Sequence, residues 1–164
     1  MLPLLRQMGA EVNLSSGCIT VRKGRLRATD IDARPIPDLI PPLSVLAAAA
    51  EGGSHIQNAR RLRYKESDRL QGIAELLNSL GGCLTVDGDS LLIHGVSHLQ
   101  GGTVDPMGDH RLAMSAALAA LSADAPVTVR DADCVSKSYP AFWADFQSLK
   151  GEAPCPAPSE TPSV

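Results

Sequence analysis

Leu70, Ile73, Ala74, Leu77 and Leu80 recur at three- and four-residue spacing, which predicts an amphipathic helix over Ser67–Leu80 ended by Gly81-Gly82. Two other stretches, Asp38–Ala50 and Asp109–Ser122, are apolar almost throughout, which predicts helices buried on most sides. Pro41 and Pro42 fit only the first turn of the former. Leu4–Met8 reads as the end of a helix stopped by Gly9. Short β-rich runs predict strands at Cys18–Arg22, Leu26–Ile31, Ser54–Asn58, Cys83–Val86, Leu91–His94, Gly102–Asp105 and Pro126–Arg130. Tyr139, Phe142, Trp143 and Phe146 fall at i, i+3, i+4 and i+7, so a last helix carries four of the five aromatics on one face. Core packing is the expectation for that stripe. Gly151–Val164 holds four of the twelve prolines and reads as a disordered tail.

The pattern repeats. Leu4-Leu-Arg-Gln-Met-Gly-Ala-Glu-Val12 resembles Leu76-Leu-Asn-Ser-Leu-Gly-Gly-Cys-Leu84, 72 positions on. Ile19-Thr-Val21 falls on Leu91-Leu-Ile93 at the same offset, and Lys65 on Lys137; Asp38 and Asp109 are 71 apart. A period of this length exceeds ordinary solenoid units and implies an α/β fold of repeated β-α-β-α-β-β units. The expected division is a truncated unit over 1–25, a full unit over 26–94 and an incomplete one over 95–150, followed by the tail at 151–164. Together, 1–150 reads as part of a larger domain.

The 164 residues carry 44% hydrophobic and 20% charged side chains, the balance of a globular chain. A net charge of −3 and 3% aromatics argue against a general nucleic-acid binder. Neither a signal peptide nor an apolar run long enough for a membrane span is visible. Cys18, Cys83, Cys134 and Cys155 form no C-x-x-C pair, which excludes the usual zinc and thioredoxin signatures and suits a reducing, cytoplasmic setting. His94 and His98 lie on a strand and the turn after it, so they are not expected to converge on a metal.

Candidate chemistry gathers at four places. Arg60-Arg-Leu-Arg-Tyr-Lys-Glu-Ser-Asp-Arg69 packs five basic and two acidic residues at a helix mouth, where free N–H groups and the dipole favour anions. His110 and Arg111 open an otherwise apolar helix, Lys137 precedes the last one, and Asp38 opens the first buried one. Each has an ordinary alternative: a solvated helix start, surface charge, or an N-cap at Asp38. The repeat puts these helix ends at equivalent points. Packed about one axis, they would form a single mouth with four cations (Lys65, Arg69, Arg111, Lys137) and two acids (Asp38, Glu66), suited to a small polyanion with acid–base chemistry beside it.

Lys65-Glu-Ser-Asp-Arg-Leu70, Asp109-His-Arg-Leu-Ala-Met114, Ile36-Pro-Asp38 and Ser136-Lys-Ser-Tyr-Pro140 resemble, in order and spacing, the C-terminal motifs of the 5-enolpyruvylshikimate-3-phosphate synthase family. The resemblance runs from about Leu4 to Lys150. It implies an enolpyruvyl transferase acting on phosphoenolpyruvate and shikimate 3-phosphate in aromatic amino-acid biosynthesis, with no metal or organic cofactor. It further implies Asp38, Lys65 and Glu66 as catalytic residues. Glu66 would protonate the phosphoenolpyruvate methylene carbon, Asp38 would take the 5-hydroxyl proton, and Lys65 would lie between the reactants. Arg69, His110, Arg111 and Lys137 would bind substrate. Family members are more than twice as long, and Arg61 stands where some have a polar residue near the shikimate phosphate. The chain alone is therefore expected to be inactive without a complementing N-terminal portion. A non-catalytic phosphoenolpyruvate- or phosphate-binding fragment and a structural remnant are the alternatives.

Overall fold

A computed structural model describes residues 1–22 and 24–149. The segment Gly151–Val164, read above as a disordered tail, lies outside the described residues. Helix α1 (Leu2–Gln7) leads through Gly9, at φ 96°, into the antiparallel hairpin β1 (Glu11–Ser15) and β2 (Cys18–Arg22). Ser16 and Gly17, both at positive φ, make the two-residue turn whose twist suits such a hairpin.

The central unit runs β3 (Ile31–Asp32), α2 (Ile40–Ala48), β4 (Gly53–Gln57), α3 (Arg69–Ser79), β5 (Cys83–Asp87) and β6 (Ser90–His94). Its sheet order is β3-β4-β6-β5. β3 and β4 are parallel across α2; β6 is antiparallel to both β4 and β5. β7 (Gly102–Val104) and β8 (Val127–Val129) form a parallel pair bridged by α4 (His110–Ala119), and α5 (Phe142–Ser148) ends the described chain. The elements are those of a mixed α/β fold in β-α-β-α-β-β order.

Helices α2, α3 and α4 pack on one another; α2 and α3 back against the central sheet, and α4 against β8. α3 buries Leu70, Ile73, Ala74 and Leu77, the face its spacing predicts. α2 buries seven of its nine residues. Its one deeply buried hydroxyl, on Ser44, donates to the Ile40 carbonyl, so that hydroxyl is paired within the apolar helix. Gly72 lets α3 and α4 approach: a Cβ there would lie 2.7 Å from Leu112 Cδ1.

Two expectations are corrected. The strand read over Leu26–Ile31 shrinks to the two residues of β3 and an isolated bridge between Arg27 and Glu51. Between them the Thr29 N–H donates to the Ser54 hydroxyl at 3.1 Å, so a side chain takes the place of a ladder bond. The aromatic stripe of α5 is not core. α5 buries none of its residues; the rings pack on each other around Phe142, at centroid distances of 5.7 Å to Tyr139, 5.0 Å to Trp143 and 5.6 Å to Phe146. Periodicity marks an apolar face, but another layer must exist to cover it.

Candidate active site

The sequence places charged residues at four helix mouths, and the fold turns those ends toward each other. Asp38 sits in a 3₁₀ turn, Pro37–Leu39, at the mouth of α2. It caps neither the turn nor the helix, so the N-cap alternative does not hold. Lys65 and Glu66 follow a second 3₁₀ turn, Arg60–Tyr64, and Arg69 is the first residue of α3. Lys137 ends a third, Ala132–Lys137, five residues before α5. His110 and Arg111 begin α4, whose N-cap, Asp109, accepts from the Arg111 N–H at 2.9 Å.

Arg69 joins these pieces. Its guanidinium is only 1% exposed and faces three carboxylates. Nε donates to Asp109 Oδ2 at 2.7 Å, Nη1 to Asp38 Oδ1 at 2.9 Å, and Nη2 to Glu66 Oε2 at 2.5 Å and Asp109 Oδ1 at 3.2 Å. Around this hub, Lys65 Nζ lies 3.2 Å from Asp38 Oδ1, Arg111 Nη2 3.4 Å from Asp38 Oδ2, and Lys137 Nζ 3.6 Å from Glu66 Oε1. Six of the seven residues singled out by sequence thus share one ion-pair network. The seventh, His110, is buried beside it with its Nδ1 unpaired.

The electrostatics follow from this packing. Partial burial works to raise the Asp38 carboxyl, but Lys65, Arg111 and Arg69 outweigh it and hold the group below its ordinary value. Glu66 is also held down, chiefly by a backbone N–H and then by Arg69 and Lys137, against its own burial and Asp109. Burial favours a neutral Asp109, yet the Arg69 fork and the Arg111 N–H keep it ionised. Burial pushes the His110 imidazole down, so it sits neutral.

Asp109 is the member that reading residues for chemistry passed over. It is fully buried, accepts a further hydrogen bond from Ser67 Oγ at 3.2 Å, and holds Arg69 in place while capping α4. Its position at the head of Asp109-His-Arg signals the cap, but nothing local signals a reach of forty residues back to Arg69. Arg61, singled out near the same cluster, stays on the exposed side of its 3₁₀ turn. Arg63 turns away to Asp68 and Asp89. Among the described residues no group of three or more His, Cys, Asp or Glu is arranged to hold a metal ion.

The arrangement is therefore a wall of four cations at helix mouths, with two carboxylates held between them and one carboxylate fixed behind. The family model of EPSP synthase (3-phosphoshikimate 1-carboxyvinyltransferase) matches residues 1–146. The chain belongs to the EPSP synthase family. It is 44% identical over 149 residues to the 3-phosphoshikimate 1-carboxyvinyltransferase of Clostridium kluyveri, covering 91% of this chain and 35% of that protein. Against the enzyme of the same name from Methanocella arvoryzae it is 48% identical over 147 residues, 88% of this chain and 35% of the relative. The solved EPSP synthase of Acinetobacter baumannii superposes with a TM-score of 0.75 at 30% identity, over 92% of this chain and 38% of that one. The chain spans about a third of the length of the curated relatives it matches.

Proposed function

We propose that this member of the EPSP synthase family supplies one wall of an enolpyruvyl transferase site. The reaction moves the enolpyruvyl group of phosphoenolpyruvate to the 5-hydroxyl of shikimate 3-phosphate and releases phosphate. The observation that carries this is the ion-pair network, in which Lys65, Arg69, Arg111 and Lys137 surround Asp38 and Glu66.

The chemistry asks for these groups. The 5-hydroxyl oxygen attacks the central carbon of phosphoenolpyruvate as its proton passes to a base, here Asp38. The methylene carbon must gain a proton, here from Glu66, giving a tetrahedral adduct. Loss of a proton from the new methyl group and departure of phosphate restore the double bond. Both substrates are anions, so fixed cations offset their repulsion and hold them in register. Lys65, Arg111 and Lys137 are the cations with accessible surface, Lys137 the most at 59% of its side chain. Arg69 has four hydrogen bonds to protein, which leaves one N–H, on Nη1, for a ligand. Its larger part is to hold the two working carboxylates.

Glu66 as it stands is ionised and cannot donate a proton. An incoming phosphate or carboxylate competes for Arg69 and Lys137. Losing those partners lets the Glu66 carboxyl rise and take up the proton that the reaction uses. The same reading carries a cytoplasmic location, supported by unpaired Cys18, Cys83 and Cys134.

The test separates binding from turnover. Phosphoenolpyruvate titrated into the purified chain should shift the NMR signals of Arg111 and Lys137; no response would leave a structural remnant. The chain alone should release no phosphate from the two substrates at a rate near a complete family enzyme. Addition of the remaining portion of a family enzyme, expressed as a separate chain, should restore release, and Glu66→Gln in that mixture should abolish most of it. Steady two-substrate turnover by the purified chain, lost in Glu66→Gln, would show that one wall suffices.

A further inference from the structure

The stretch Lys65–Asp68 belongs to no helix or strand; it links the 3₁₀ turn Arg60–Tyr64 to α3. Such a stretch has no hydrogen-bond ladder of its own, so its shape depends on what holds its two ends. Leu62, at 0% exposure, roots the 3₁₀ turn in the core. Beside it Arg63 reaches three acceptors with one planar fork. Nη1 donates to Asp68 Oδ2 at 2.9 Å, Nη2 to the Gly88 carbonyl at 2.6 Å, and Nε to Asp89 Oδ1 at 3.3 Å.

Each acceptor has its own anchor. Asp68 is the far end of the stretch, and its other oxygen caps α3 by accepting from the Gln71 N–H at 3.1 Å. Gly88 and Asp89 make the turn between β5 and β6, with Gly88 at φ 54°. The Asp89 carbonyl also accepts from the Ala59 N–H at 2.8 Å, just ahead of the 3₁₀ turn. Lys65 and Glu66 are thus enclosed in a short loop, closed by the Arg63–Asp68 pair and tied to the central sheet through the β5–β6 turn.

We propose that Arg63 is a positioning residue of the transferase site: its fork holds the loop 63–68 closed, and with it Lys65 against Asp38 and Glu66 against Arg69. The proposal rests on the reading of Lys65 and Glu66 as working residues. Asp68 and Asp89 are 41% and 48% exposed, so their pairs with Arg63 add little to global stability. Their effect is local, in the loop conformations they remove. A lysine would carry the charge without the fork. The next unit anchors its cation by other means. Val135, 72 residues after Arg63 and two before Lys137, is 1% exposed, and its carbonyl accepts from the Ser138 and Tyr139 N–H groups at 3.1 and 2.8 Å. An apolar side chain in the core does there what the charged fork does before Lys65.

Two measurements on Arg63→Ala test this. In the full 164-residue chain, backbone NMR relaxation should show the order parameters of Lys65, Glu66 and Ser67 falling from the ~0.85 of rigid backbone toward ~0.6, while those of α3 and the thermal midpoint stay near wild type. In the mixture with the remaining portion of a family enzyme, kcat should fall about tenfold, while the KM for phosphoenolpyruvate changes less than about threefold, because Arg111 and Lys137 are untouched. Arg63→Lys should recover only part of kcat. Should Arg63→Ala not fold, Asp89→Ala removes one exposed partner and should move both readouts the same way by less. Unchanged order parameters at Lys65–Ser67 would overturn the proposal. So would a variant mixture with the kcat of an active wild-type mixture, or a loss of kcat that tracks a general loss of fold. If the wild-type mixture turns over nothing, the transferase reading fails, and the relaxation result alone decides whether Arg63 holds the loop.

Discussion

Asp109→Asn removes one charge from a fully buried position and changes almost nothing in shape. The carboxylate accepts from Arg69 Nε at 2.7 Å, Arg69 Nη2 at 3.2 Å, Ser67 Oγ at 3.2 Å and the Arg111 N–H at 2.9 Å. Oδ2 faces Arg69 Nε, and Oδ1 faces Arg69 Nη2 and the Arg111 N–H, so either orientation of an amide sets N–H against N–H. Arg69 would keep Glu66 and Asp38, both of which reach solvent, but lose the partner that is as buried as itself. Removing one member of such a pair costs about 3–5 kcal/mol. The surviving acceptor keeps one contact, which puts the expected loss near the lower end, about 3 kcal/mol, a large share of the ~5–15 kcal/mol of an ordinary domain. Urea unfolding at neutral pH measures it. Asp109 is held below its ordinary value, so its contribution is present above about pH 4, the unfolded carboxylate range, and fades as pH falls through the lower folded value. The gap between wild type and variant should therefore narrow in acid. A loss below about 1 kcal/mol at neutral pH, no larger than an ordinary hydrogen bond, would show that Glu66 and Asp38 alone satisfy Arg69 and that Asp109 is not what fixes it.

Three further outcomes follow from the same geometry. Gly72→Ala gains about 1 kcal/mol of helix propensity, but its Cβ meets the buried Leu112 Cδ1 at 2.7 Å; overpacking of about 1–3 kcal/mol should win, seen as a lower urea midpoint. Arg111→Ala and Lys137→Ala should weaken phosphoenolpyruvate binding in the NMR titration, whereas Glu66→Gln should leave it nearly intact; added salt should weaken it in all, since exposed charges are screened over ~8 Å at physiological ionic strength. His110 is buried and neutral, its folded pKa below the unfolded value, so stability should begin to fall as pH drops below about 6.5, and His110→Gln should remove that part of the slope in a pH series of thermal melts.

The linear sequence determined whatever depends on near neighbours. The three- and four-residue spacing of α3, the turn prolines of α2, the glycine stops and the β5–β6 alternation all act within a few residues, and each appears where the spacing puts it. The 72-residue repeat adds that charged helix mouths stand at equivalent points, which is enough to gather Asp38, Lys65, Glu66, Arg69, Arg111 and Lys137 into one list. The tertiary structure alone decided how they divide their work. Arg69 is 31 residues from Asp38 and 40 from Asp109, distances over which no local pattern reports, and only packing of α2, α3 and α4 makes it the buried centre of three carboxylates. It likewise decided that the aromatic face of α5 packs ring on ring, with Trp143 Nε1 donating to the Ala132 carbonyl, and stays out of the core, and that Ile19 and Val21 are exposed where Leu91 and Ile93 are covered. A sequence marks which face is apolar; whether that face is buried depends on what else is there to pack against it.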